Sequence, residues 1–278
     1  MVAVLWGKMV RMTLPRLPHA VPALAAALPL TLLPAACTQP AEQAAPEQLV
    51  AVVKERYDFD PTSFTQGLEV APDGTLYVGT GMEGESRIYR RSLDGAVLAA
   101  QDIDPAYFGE GITRIDDYVW QLTWQDNVAM KRDAETLAET GRATYTGEGW
   151  GICARPEAGE VIFSDGTAEL RRMDPATLEE RERFTVTLGG EPVAGLNELE
   201  CVGDAVYANI FTTTDIVRID ASTGAVTAVI DASDVPNNAT ADPNHVLNGI
   251  AHIPGTDEFY LAGKRWPDLY RVTFEPAG

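Results

Sequence analysis

The residues with the greatest chemical reach in this sequence sit inside short, glycine-bearing phrases. Phe64-Thr-Gln-Gly carries Gln66, Phe108-Gly-Glu-Gly carries Glu110, and Glu148-Gly-Trp-Gly carries Trp150. Leu196-Asn-Glu-Leu-Glu carries Asn197, Glu198 and Glu200, and Leu247-Asn-Gly-Ile carries Asn248. Trp124, Phe211 and Lys264 each stand at the end of a β-rich run that follows one of these phrases. Aromatic walls with a carboxylate, amides and a lysine are the usual make-up of a site for a small molecule or a peptide end. A carboxylate desolvated by aromatic neighbours has a raised pKa, so it can take a proton near neutral pH and give it back. Lysine and amide donors suit an oxygen that gains negative charge during a reaction. Glu198 and Glu200 rival Glu110 as the proton carrier. His245 and His252 lack a Cys or His partner at zinc spacing and read as surface or packing residues.

The elements that must position these side chains are legible as repeats. Aligning the phrases brings Gly67, Gly111, Gly151, Glu198 and Gly249 into register, at spacings of 44, 40, 47 and 51 residues. Each copy continues through a turn into a β-rich run, then an alternating run such as Arg87-Ile-Tyr-Arg-Arg or Asp215-Ile-Val-Arg-Ile-Asp, then a hairpin signal and a fourth strand. Four short strands per unit of this length is propeller periodicity. The expected fold is all-β, a five-bladed β-propeller. Its last unit has only three strands, and residues 49–58 can supply the fourth, so that the ring is closed by an N-terminal strand completing the last blade. In such a ring the first strand of every blade lines the central channel, and the five phrases meet at one mouth. Glycine recurs there because backbones approach closely; the varied side chains between the glycines need another reason.

Taken in order, FTQGL, FGEGIT, Gly-Trp-Gly, LNELE, LNGIA and GK-x-WP-x-LY resemble the plant-type and bacterial glutaminyl cyclases (glutaminyl-peptide cyclotransferases). The resemblance covers about residues 50–274. It implies a five-bladed propeller that converts N-terminal glutamine of peptides or proteins to pyroglutamate and releases ammonia. It also implies roles: Glu110 as acid/base, with Phe64, Gln66, Phe108, Trp124, Trp150, Asn197, Phe211 and Lys264 binding substrate. At position 211 the family often has tryptophan; Phe211 keeps the apolar wall and lacks the indole N–H donor.

That chemistry needs what these residues offer. The α-amine must lose a proton, the amide oxygen needs donors as it turns negative, and the leaving amine needs a proton. One carboxylate can do the first and last of these. The attack is intramolecular, so clamping the glutamine in a folded-over shape is itself worth a large factor. No cofactor or metal is required, although channel carboxylates would suit a structural Ca2+. Two other functions fit the same residues. One is a Ca2+-dependent, lactonase-like propeller hydrolase using Glu110, Asn197, Glu198 and Asn248; the other is a non-catalytic peptide-binding propeller.

The bulk numbers narrow the field. The chain has 278 residues and a net charge of −20, and from Cys37 onward 18 basic residues face 41 acidic ones. Such a surface repels DNA and RNA, so no nucleic-acid partner is expected. Residues 1–36 read as a secretory signal, with Lys8, Arg11 and Arg16, then the uncharged apolar stretch 21–36, with Met9 and Met12 as alternative starts. Leu33-Pro34-Ala35-Ala36-Cys37 resembles a lipobox, although Pro34 sits where leucine is preferred. Lipidation of Cys37, with membrane attachment, and plain secretion therefore stay open. The expected location is the periplasm, or the outer membrane as an anchored lipoprotein. Residues 37–48 form a flexible tether, and 49–278 a single domain expected to act as a monomer. In an oxidising compartment Cys153 and Cys201 could pair; two buried free thiols fit the sequence as well.

Overall fold

The computed structural model describes residues 45–278. The expected signal segment, Cys37 and most of the tether lie outside the described residues. β1 (Glu47–Asp58) opens the described chain, two residues before the expected domain start. Three antiparallel four-stranded sheets follow, each in simple chain order. The first holds β2 (Thr65–Val70), β3 (Leu76–Thr80), β4 (Arg87–Arg91) and β5 (Val97–Asp102); the second holds β6 (Gly109–Ile115), β7 (Tyr118–Thr123), β8 (Val128–Asp133) and β9 (Glu139–Thr144). The third holds β10 (Ile152–Arg155), β11 (Glu160–Ser164), β12 (Glu169–Met173) and β13 (Glu180–Thr185). A small hairpin, β14 (Thr187–Leu188) with β15 (Glu191–Pro192), leads to β16 (Leu196–Val202), β17 (Ala205–Ile210), β18 (Asp215–Asp220) and β19 (Val226–Asp231). The chain ends with β20 (Leu247–His252), β21 (Glu258–Gly263) and β22 (Asp268–Pro276).

The last seven strands and β1 form one eight-stranded sheet, in the order β16-β17-β18-β19-β1-β22-β21-β20. β1 pairs antiparallel with β22 along nine residue pairs, from Leu49↔Pro276 to Asp58↔Asp268, and parallel with β19 from Glu47↔Ala228. The first described strand thus completes a four-stranded antiparallel group with β20–β22.

Burial in the first sheet falls from the inner strands to the outer one. β3, between two paired neighbours, is buried at every position, while the outer strand β5 is almost wholly exposed. The cores lie between units. Tyr77, Ile88, Ile112 and Val119 join the first sheet to the second, and Trp120, Leu122, Ile152 and Phe163 join the second to the third. Cys153, Ile162, Leu199 and Val206 join the third to β16–β19, Ile216, Ile230, Ile250 and Phe259 continue to β20–β22, and Leu68, Val78, Tyr260 and Leu269 join β20–β22 to the first sheet. The innermost strands approach so closely that a Cβ on Gly151 would lie 2.2 Å from the Asn197 carbonyl oxygen. Only glycine fits there.

Where these strands do not pair directly, side chains bridge them. Glu69 Oε2 accepts from the Arg114 N–H at 2.9 Å, Thr113 Oγ1 from Ala154 N–H at 3.0 Å, and Glu200 Oε1 from His252 N–H at 3.0 Å. Cys153 and Cys201 form a disulfide between β10 and β16, with Cα atoms 5.4 Å apart. Burial raises the Glu69 carboxyl to about 7 and pushes Glu198 and Glu200 well above the usual carboxylate range. These acids bind protons more tightly in the folded chain than in the unfolded one. Stability is therefore highest below the unfolded value of 4.5 as far as they are concerned, and falls as pH rises towards about 7. We expect the melting temperature to decline between about pH 5 and 8, and Glu69→Gln to flatten that decline. A melting temperature that climbs across this window in the wild type would contradict it.

Candidate functional site

Each candidate side chain is delivered either by a first strand or by the residue just after a second strand. Gln66 lies on β2, Glu110 on β6 and Asn197 on β16, while Phe64, Phe108 and Trp150 immediately precede or lead into first strands. Trp124 directly follows β7, Phe211 follows β17, and Lys264 follows β21. All nine line one cavity of about 400 Å³, within the usual range for small-ligand sites.

The cavity is bounded by a nearly continuous aromatic belt. Phe64 meets Phe108 edge to face with centroids 6.1 Å apart, and Phe108 meets Trp124 at 5.7 Å. Trp150 meets Phe211 at 5.2 Å. Two gaps remain, and each is spanned by a charge. Lys264 Nζ sits 5.0 Å from the centroids of both Phe64 and Phe211, a cation–π arrangement on either side. Between Trp124 and Trp150 stands the Glu148 carboxylate. The Phe64 backbone bridges to Lys264 as an antiparallel pair, which fixes one of these gaps at the level of the main chain.

Glu110 lies inside the belt, 4% exposed. Its Oε1 accepts a hydrogen bond from Gln66 Nε2 at 2.9 Å, and Gln66 Oε1 in turn accepts from Asn248 Nδ2 at 2.9 Å. Asn248 is anchored to the Thr65 carbonyl at 3.1 Å. This relay orients one carboxylate oxygen; among the described residues no hydrogen bond reaches Oε2. Burial pushes the Glu110 pKa well above its ordinary value, the positive charge of Lys264 pulls it down, and the negative charge of Glu148 adds to the rise. Burial lowers the Lys264 pKa, against the pull of Glu110. The two groups are thus a carboxyl and an amine held in one desolvated pocket, each shifted towards its neutral form by burial.

Glu198, the rival base, lies outside the cavity lining. Its Oε1 accepts from Leu68 N–H at 3.1 Å and its Oε2 from Ile250 N–H at 2.9 Å, so it staples β16 to β2 and β20. Asn248 commits its Nδ2 to Gln66 and Thr65, while its buried Oδ1 has no partner among the described residues. Of the four residues weighed as Ca2+ ligands, Glu198 therefore has both oxygens tied to the protein itself. Among the described residues no group of three or more His, Cys, Asp or Glu is arranged to hold a metal ion.

Five residues not assigned to the site from the sequence complete the lining: Met82, Asp242, Asn244, His245 and Arg265. His245, expected on the surface or in packing, is at the rim, with Nδ1 2.8 Å from the Thr240 carbonyl oxygen. It belongs to the connector 232–246 between β19 and β20, and a connector of that length was the available signal, since long loops are where function concentrates. Arg265 directly follows Lys264 and is held by Glu85 at 2.5 Å.

Comparison with known proteins shows the family of the chain. The sequence model of the glutamine cyclotransferase family matches residues 24–274. A glutaminyl-peptide cyclotransferase from Arabidopsis thaliana is 33% identical over 234 residues, which span 82% of this chain and 72% of that protein. The crystal structure of Myxococcus xanthus glutaminyl cyclase is similar with a TM-score of 0.78 at 31% identity, covering 84% of this chain and all of that one.

Proposed function

Because this chain belongs to the glutamine cyclotransferase family, we propose that it converts N-terminal glutamine of peptides and proteins to pyroglutamate, with release of ammonia and with Glu110 carrying the proton. The observation that carries this reading is the buried Glu110 carboxylate, oriented by Gln66 and enclosed by aromatic rings, in the same cavity as Lys264.

The chemistry follows from the placement. A substrate's terminal ammonium enters the belt, where aromatic faces and two carboxylates favour a cation. Glu110, in its ionised form, takes a proton from that ammonium through its unpartnered Oε2. The freed α-nitrogen attacks the side-chain amide carbon, and the new C–N bond closes a five-membered ring. Charge gathers on the former carbonyl oxygen, where Lys264 and Asn197 are the donors placed to receive it. Glu110 then returns its proton to the departing nitrogen as the old C–N bond breaks, the ring nitrogen gives up its second proton to the released ammonia, and ammonium leaves. The aromatic walls hold the glutamine chain folded on itself, which makes the attack effectively pre-paid. Every bond change is internal to the substrate, so the scheme calls on no cofactor.

The same reading extends to the fold and its setting. The units are taken as blades of a five-bladed propeller, closed by β1; the inter-unit cores and the β1–β22 pairing support this. Export is supported by the Cys153–Cys201 disulfide, since such bonds persist in oxidising compartments.

The test is direct. Purified protein is incubated with peptides beginning in Gln, and mass spectrometry follows loss of ammonia, with and without a chelator. Turnover that survives chelation is expected. No turnover of any Gln-initiated peptide by folded protein would sink the reading, and chelator-sensitive activity would favour the metal-dependent alternative.

A further inference from the structure

The aromatic belt has two breaks, and only one of them is filled by a residue with a part in the chemistry above. The other is filled by Glu148, which does not line the cavity. Its Oε2 accepts from Trp124 Nε1 at 2.8 Å and from Trp150 Nε1 at 2.9 Å, while Oε1 accepts from Gln125 Nε2 at 2.9 Å. One carboxylate oxygen therefore ties together two indoles from different sheets. Bonds from Gln125 and both indoles outweigh burial and hold the Glu148 carboxyl below its ordinary range, so it is ionised when it does this.

The support behind Glu148 is equally specific. Arg171, fully buried, donates from Nη1 to the Thr146 carbonyl at 2.8 Å and from Nη2 to the Glu148 carbonyl at 3.1 Å. Its guanidinium lies 4.0 Å from the centroid of Phe163. Asn127 Nδ2 donates to the Gly147 carbonyl, and Gly149 N–H donates to the Trp124 carbonyl at 2.9 Å. On the other face of Trp150 stands Gly166, in a left-handed conformation at φ 78°, where a Cβ would lie 2.6 Å from the ring. The loop that presents Glu148 is thus fixed at three carbonyls, and Trp150 is wedged between its tether and a backbone that admits no side chain.

We propose that Glu148 is a positioning residue for the reaction: by tethering Trp124 and Trp150 it sets the width of the pocket wall that folds the glutamine over Glu110. This rests on the cyclotransferase reading for what the pocket holds. A substrate clamp built from two indoles is only as stiff as the bond between them. Trp124, at 37% exposure, is the most exposed member of the belt and has the least packing of its own to hold it. Glu148 is also the negative counterpart of Lys264. The two charges close the belt at its two gaps, and they act on Glu110 with opposite sign.

The experiment compares Glu148→Ala and Glu148→Gln with wild type. It measures kcat and KM for a Gln-initiated peptide, the pH dependence of kcat/KM, and tryptophan emission. Glu148→Ala is expected to raise KM about tenfold with a smaller fall in kcat, because the walls lose their spacing while the proton carrier remains. It should also shift emission to longer wavelength as the indoles loosen into solvent. Glu148→Gln keeps a carbonyl acceptor, so its KM rises less. It removes the charge, so the acid limb of the kcat/KM profile moves to lower pH as Glu110 loses a proton more easily. A loop that served folding alone would alter neither KM selectively nor the acid limb. Glu148→Ala with wild-type KM, acid limb and emission would overturn the proposal. If that variant does not fold, Glu148→Gln decides on its own, and an unchanged KM and acid limb count against it. If the wild type turns over no Gln peptide, the cyclotransferase reading fails, while the emission of the two variants still tests the tether.

Discussion

Glu110→Gln is expected to lower kcat by about three orders of magnitude, within the range for removing a general acid/base, while the melting temperature stays level or rises. The size follows from the number of proton transfers asked of one group. On the proposed mechanism Glu110 takes the proton that frees the nucleophile and delivers the one that frees ammonia, and the two other glutamates near the belt are committed elsewhere. Glu198 is occupied at both oxygens by main-chain N–H groups, and Glu148 faces the indoles. The stability half of the prediction comes from the direction of the Glu110 shift. Burial raises its pKa, so ionising this carboxyl costs more in the folded chain than in the unfolded one. The amide removes that cost. The gain should be largest at alkaline pH and should vanish below the unfolded pKa, where wild type is protonated in both states. KM should change little, since the aromatic walls are untouched. A folded Glu110→Gln enzyme with wild-type kcat would remove Glu110 from the mechanism. A loss of activity accompanied by a large drop in melting temperature would assign it a structural role instead.

This constellation was legible in the sequence because repetition carries positional information. Five copies of one phrase say that five strands play one part, and a residue's offset within its copy says which way it faces. Gln66, Glu110 and Asn197 emerge from that comparison, as do Trp124, Phe211 and Lys264 from the matching offset after the second strand. The β1–β22 pairing was readable for a similar reason: one unit lacked a strand, and a β-rich segment before the first copy was spare. What did not emerge depends on where a side chain's hydrogen bonds go. Glu198 has the residue type and the repeat position of a base, but its oxygens are consumed by Leu68 and Ile250, residues 130 and 52 positions away. Glu148 gave the opposite error. It opens the third phrase, yet nothing in its spacing says that it reaches two indole N–H groups, because that depends on a loop shaped by Gly147, Gly149 and the buried Arg171. His245 and its neighbours in the connector 232–246 follow no repeat, so no comparison among copies could place them at the rim.

Lys264→Met is expected to lower kcat by about 10²- to 10³-fold, the scale for losing one donor to a developing oxyanion. Methionine is close in length and apolar, so the side chain can still pack between Phe64 and Phe211, and the belt keeps its shape. What disappears is the charge and its three N–H donors. In the free protein the ammonium is flanked by two aromatic faces and donates to no competing side-chain acceptor among the described residues. Its donors are therefore available to the substrate's oxygen when negative charge arrives there. Substitution by arginine would not restore this, because a planar fork does not fit between two rings 5.0 Å on either side of a compact ammonium. The pH profile separates the electrostatic role from mere packing. Lys264 holds the Glu110 pKa down, so its loss lets that pKa rise further and moves the acid limb of kcat/KM to higher pH. Removing Glu148 should move the same limb the other way. A packing defect would reduce activity without choosing a direction on the pH axis. Opposite displacements from two residues at the two gaps of one aromatic belt would mean that the proton carrier is tuned between them. An acid limb that stays in place in Lys264→Met would remove the lysine from that arrangement.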